Sequence, residues 1–70
     1  MLKTIMREND TFATLEGIAE ITEMDAANEK AWCVEYDEDE RKIEEGWLTP
    51  HDIAKRMKEV DGKNHDVRFE

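Results

Sequence analysis

Cysteine, proline, glycine, aromatic residues and positive charge are all scarce in this 70-residue chain, and each shortage removes a class of protein. The single cysteine, Cys33, excludes an internal disulfide and suits a reducing cytosol. One proline, Pro50, and three scattered glycines, Gly17, Gly46 and Gly62, leave no linker, no low-complexity tract and no glycine loop able to cradle a phosphate. No apolar run approaches the length of a membrane span, and the opening MLKTIMREND has neither a signal-peptide core nor a cleavage site, so a soluble, cytoplasmic protein is expected. Ten Lys and Arg stand against nineteen Asp and Glu, a net charge of −9, and a surface of that sign repels phosphate, which disfavours direct binding to DNA or RNA.

What is present is unevenly placed. Residues 1–7 hold Lys3 and Arg7 with no acid, and residues 46–70 hold five acids against five bases. The excess lies between, where fourteen carboxylates from Glu8 to Glu45 face only Lys30, Arg41 and Lys42, a segment net of −11. Seventy residues make one small domain, 1–70, near the lower limit for a core without metal or disulfide, so a homodimer or a partner is a natural source of further stability.

The best-signalled element runs from Lys42 to Val60. Period-two alternation through Ile43, Glu45 and Trp47 predicts a strand ending at Leu48. Thr49 then offers a cap, Pro50 fits the first helical position and Asp52 places negative charge at the positive end of the helix dipole. Leu48 and Ile53 are spaced as a hydrophobic staple, Ile53, Met57 and Val60 share a face, and Gly62 stops the helix. Upstream, Leu2–Met6 can form a short strand with a turn at Asn9-Asp10. Residues 12–24 fit either a strand or a helix capped by Asp10 or Thr11. The hairpin that follows, with Asp25 and Asn28 in its loop and Trp32, Val34 and Tyr36 alternating on the return, needs a partner strand. A strand over 12–24, bent or bulged at Gly17, is therefore expected. Asp37 to Glu40 make an acidic turn, Asp61 to Asn64 a second turn, and His65 to Phe69 a last strand.

The expected fold is α+β, a small antiparallel sheet or partly open barrel with one helix in the order β-β-β-α-β. Trp32, Val34, Tyr36, Trp47, Ile53 and Met57 are expected to share one core. Gly17-Ile18-Ala19-Glu20-Ile21, Met24-Asp25, Ala31 to Asp37, Gly46-Trp47-Leu48 and Asp52-Ile53 together resemble the central meander of SH3-like and Tudor-like small barrels, and are similar to small barrel modules of phage baseplates. That resemblance implies a small, partly open barrel. The Tudor likeness further implies an aromatic cage for methylated basic residues, but with Trp32 and Tyr36 assigned to the core no cage is expected.

The chemistry-bearing residues fail the tests of known sites. Asp37, Asp39 and Arg41 alternate as in a calcium loop, yet Lys42 stands where that loop needs glycine and Leu48 where it needs a bidentate Glu. Cys33, His51 and His65 lack zinc spacing, and Cys33 reads as a packed strand residue rather than a nucleophile. No metal, no cofactor and no enzymatic activity are expected. Two functions remain. In the first, rows of carboxylates, Glu16, Glu20, Glu23 and Glu35 on the hairpin and Asp37, Glu38, Asp39, Glu40 and Glu44 at the far turn, stand in for phosphates and bind a basic protein surface, with Glu16, Glu20 and Glu35 pointing away from the core. In size and charge the chain resembles phage and mobile-element DNA mimics and anti-CRISPR-type inhibitors, which implies a nucleic-acid-binding enzyme as partner and a host cytoplasm as location. In the second, the chain is an assembly adaptor, such as a phage-particle component, and its acidity only confers solubility.

Overall fold

A computed structural model describes residues 1–70. The elements in order are β1 (Leu2–Met6), β2 (Thr11–Ala13), β3 (Gly17–Asp25), a 3-10 turn (Ala26–Asn28), β4 (Lys30–Asp37), β5 (Lys42–Leu48), α1 (Pro50–Asp61) and β6 (His65–Phe69). Strands β2, β3, β4 and β5 pair in that order into an antiparallel sheet. β1 and β6, from the two ends of the chain, pair in parallel as a separate ribbon. The two sheets do not close into a barrel, so the molecule is a small α+β domain with its helix on one face of an open antiparallel sheet.

Local signals explain the helix directly. The Thr49 hydroxyl accepts a hydrogen bond from the Asp52 N–H at 3.1 Å while the Asp52 carboxylate accepts one from the Thr49 N–H at 2.9 Å, a complete capping box. These bonds to the Thr49 backbone and side chain hold the Asp52 carboxyl below its ordinary value. Gly62 ends the helix at φ 72°, in the left-handed region, with its N–H on the Lys58 carbonyl at 2.7 Å. Ile53 is fully buried and Met57 packs beside it, as expected, but Val60 is exposed. The hairpin loop also forms as expected, with the Asp25 carboxylate accepting from the Asn28 N–H and side-chain amide.

Two expectations are corrected. Residues 12–24 are not one strand, because Thr14, Leu15 and Glu16 turn the chain between β2 and β3. The chain bends at Leu15 and Glu16, immediately before Gly17, and the bulge lies further on, between Ile21 and Glu23. Strict alternation from Ile21 would send Glu23 inward; slipping one residue at Thr22 puts Glu23 opposite Trp32 and Met24 opposite Ala31 instead. Met24 then packs on the core while Glu23 is exposed.

The second correction is the face that β4 and β5 turn to the helix. The core contains Met6, Phe12, Ala19, Ile21, Ala31, Cys33, Ile53 and Val67. Register places Ile21, Cys33 and Gly46 in one inward row, and Met24, Ala31 and Leu48 in the next. Trp32, Val34, Tyr36 and Trp47 therefore project from the opposite, helix-free face, where Trp47 is 46% exposed. The reason is thickness. The molecule measures 14 Å along its shortest axis, and the floor beneath the helix is made of small buried residues, Ala19, Ala31 and Cys33. Large rings on that floor would hold the helix away. The outward aromatics instead cover one another: Trp32 and Trp47, directly paired across strands, meet edge to face at 5.4 Å, and Val34 is buried among its outer neighbours.

Candidate protein-binding surface

The acidic residues gather because two turns fall at the same end of the sheet. Gly17, which opens β3, pairs with Asp37, which closes β4, so the Thr14–Glu16 turn lies beside the Glu38–Arg41 turn. The approach is close: a Cβ on Gly17 would sit 2.3 Å from the Tyr36 carbonyl oxygen, so only glycine fits. Thr14 holds the first turn, its N–H donating to the Gly17 carbonyl at 3.0 Å and its hydroxyl oxygen accepting from the Gly17 N–H at 3.2 Å. Asp37 holds the second, one carboxylate oxygen accepting from the N–H groups of Asp39 at 2.9 Å and Arg41 at 3.0 Å. Glu40 adopts φ 63° to complete it.

Beneath these turns lies a buried polar chain. Glu35, expected to point outward, is only 6% exposed and faces inward. One of its oxygens accepts from the Thr14 hydroxyl at 2.7 Å and the other from Arg56 Nη1 at 2.9 Å. Arg56 extends a second nitrogen toward Glu44, 3.7 Å away and directly opposite Glu35 in the register. Glu16, Glu35, Glu44 and Glu59 thus surround Arg56 in one shallow depression with Thr14 and Leu15. Arg56 and Glu59 lie on α1, outside the segment where the charge excess drew attention. The signal for Arg56 was its spacing from Ile53, since a residue three further along a helix is a neighbour on its surface, whereas Glu59, six further along, is exposed.

The nine expected binding residues therefore divide. Glu16, Glu38, Asp39 and Glu40 are exposed and belong to no ion pair. Glu44 is exposed and leans on Arg56. Asp37 and Glu35 are committed internally, to the turn and to the Thr14–Arg56 chain. Glu20 and Glu23 stand apart, Glu20 beside Val34 and Glu23 beside Trp32 on the outer face. By contrast, Arg7, Arg68 and His65 are each bonded to a carboxylate, on Glu70, Asp66 and Asp61.

The remaining reactive groups are quiet. Burial pushes the Cys33 thiol up to about 11, so it is protonated at neutral pH and a poor nucleophile. No group of three or more His, Cys, Asp and Glu side chains is placed to hold a metal ion, and no helix is long and apolar enough to cross a membrane. No family model matches the chain, and no curated protein or solved structure matches it.

Proposed function

We propose that the chain is a small acidic protein-binding module that presents its carboxylate-rich end to a basic, nucleic-acid-binding surface of another protein and inhibits it by occupancy, as an anti-defence protein of a phage or mobile element would. The observation that carries this reading is the set of four exposed, unpaired carboxylates, Glu16, Glu38, Asp39 and Glu40, held on two rigid adjoining turns. Exposed single ion pairs contribute only about 0–1 kcal/mol each, but an array of one sign steers encounter and matches a partner's field. The turn backbones that carry these charges are positioned before binding, so the ordering cost of association is confined to the carboxylate side chains.

A second reading, an assembly adaptor, is favoured by the uncovered outer sheet face, where Ile18, Ile43 and Trp47 are exposed. One experiment separates the two. Proteins captured from a cell extract by the immobilised chain are washed at low and moderate salt and challenged with duplex DNA. Occupancy of a nucleic-acid site predicts release by salt and by DNA, loss of capture on Glu16→Lys with Glu38→Lys, and retention on Glu8→Lys with Glu29→Lys, which reverses the same number of charges elsewhere. Capture that ignores salt, DNA and both pairs of reversals would reject the phosphate-mimic reading in favour of the adaptor.

A further inference from the structure

The outer face carries an internal cation on an indole ring. Lys30 Nζ lies 4.7 Å from the centroid of the Trp47 ring, although Asp25 is its direct cross-strand partner. Lys30 forms no ion pair with any carboxylate, in a chain where acids outnumber bases nearly two to one. Trp47 is fixed for this role from one side by the edge-to-face contact with Trp32 and is otherwise open to solvent. The outer row Glu23, Trp32, Trp47 and the row Glu20, Val34, Glu45 set carboxylates around the rings. Glu20 and Glu23 are themselves without a cationic partner. Glu45 is held by Lys42 at 3.1 Å, so the free carboxylates here are Glu20 and Glu23, and an aromatic surface bordered by them is complementary to a cation with a flat or apolar body.

We infer that the Trp47 face, with Trp32 behind it and the free carboxylates of Glu20 and Glu23 bordering it, is a docking site for an arginine side chain of the partner, and that Lys30 occupies it in the free protein. This rests on the reading that the partner is basic, and adds an anchor on the sheet face to the charge array at its end. A guanidinium stacks on an indole as an ammonium does not, and it releases less hydration, so an incoming arginine displaces Lys30. The displaced ammonium is then free to meet Asp25 across the hairpin.

The test uses a nona-arginine peptide and the two indole N–H signals of Trp32 and Trp47 in a nitrogen-edited NMR spectrum. Titration should shift the Trp47 indole signal. Lys30→Met should tighten binding beyond the effect of Lys63→Met, which removes the same charge from an exposed site, and Trp47→Leu should weaken it, each by roughly threefold to thirtyfold. Far-UV circular dichroism checks that Trp47→Leu keeps its fold, and Trp47→Phe, which retains a ring, should recover part of the affinity. Equal effects of Lys30→Met and Lys63→Met, or a Trp47 signal unmoved at saturation, would overturn the inference. Loss of binding on Glu16→Lys with Glu38→Lys while the Trp47 variants bind normally would remove this anchor and leave the acidic-end reading standing. The reverse pattern would keep the anchor and remove that reading.

Discussion

Replacing Arg56 with methionine isolates the buried chain beneath the acidic turns. Methionine keeps an aliphatic stem of similar length, so the change removes mainly the guanidinium. Glu35, 6% exposed, is then left with the Thr14 hydroxyl as its one hydrogen-bond donor. Breaking a fully buried ion pair by deleting one partner costs about 3–5 kcal/mol. Here the Arg56 side chain is 31% exposed, so water reaches the gap and the expected cost falls to about 2–3 kcal/mol. A domain of this length has a total stability of roughly 4–10 kcal/mol, so the loss is a large share of the whole. It should lower Tm by roughly 10–20 °C. Urea unfolding followed by far-UV circular dichroism measures it, with Lys55→Met, an exposed helix neighbour, as the control expected to stay within about 0.5 kcal/mol of the parent. Adding Glu35→Gln to Arg56→Met removes the stranded charge while keeping an acceptor for Thr14, and should restore about 1–2 kcal/mol. If Arg56→Met were no less stable than Lys55→Met, Glu35 would not depend on Arg56 and the account of the buried chain would be wrong.

Gly17→Ala should cost about 2–3 kcal/mol because its Cβ would meet the Tyr36 carbonyl at 2.3 Å, whereas Gly46→Ala, with nothing within 4 Å, should be nearly neutral; thermal unfolding of the two proteins compares them directly. Thr49→Ala should lower stability by about 1 kcal/mol through loss of the helix cap, and an unchanged urea midpoint would place the helix start elsewhere. Asp52 has a carboxyl pKa lowered in the folded state, so its contribution is complete above the ordinary value of 3.8 and disappears as pH falls through that value and below. The stability gap between the parent and Asp52→Asn should therefore be wider at pH 7 than at pH 3, and a gap that widened on acidification would contradict the capping box.

The helix was legible because its signals are local. Thr49, Pro50, Asp52 and Gly62 act through backbone groups within four residues of themselves, and no distant contact can relocate them. The inward face of the sheet was not legible, for a different reason. Both alternating sets on β4 are apolar enough to be a core: Trp32, Val34 and Tyr36 on one side, Ala31 and Cys33 on the other. Side-chain size favours the first set, but size is the wrong criterion when a helix must approach closely, and the closeness is decided by Ile53 and Val67, far along the chain. The bulge at Thr22 was hidden similarly, since it is visible only as the register that rescues Glu23 from burial.

The candidate site shows the same division between what is local and what is not. That residues 8–45 hold the negative charge is a matter of counting, and that Asp37 to Glu40 form a turn follows from their own side chains. Which carboxylates are free to meet a partner depends on pairing, and pairing is tertiary. Glu35 and Glu44 look alike in the sequence, each in a strand rich in acids, yet the register sets them side by side under Arg56, the first enclosed with Thr14 and the second open to water. One arginine, 21 residues beyond Glu35, therefore turns an acid that reads as surface into part of the interior. It also braces the β4–β5 end from which Glu38, Asp39 and Glu40 project, so the interior carboxylate supports the array it was expected to join.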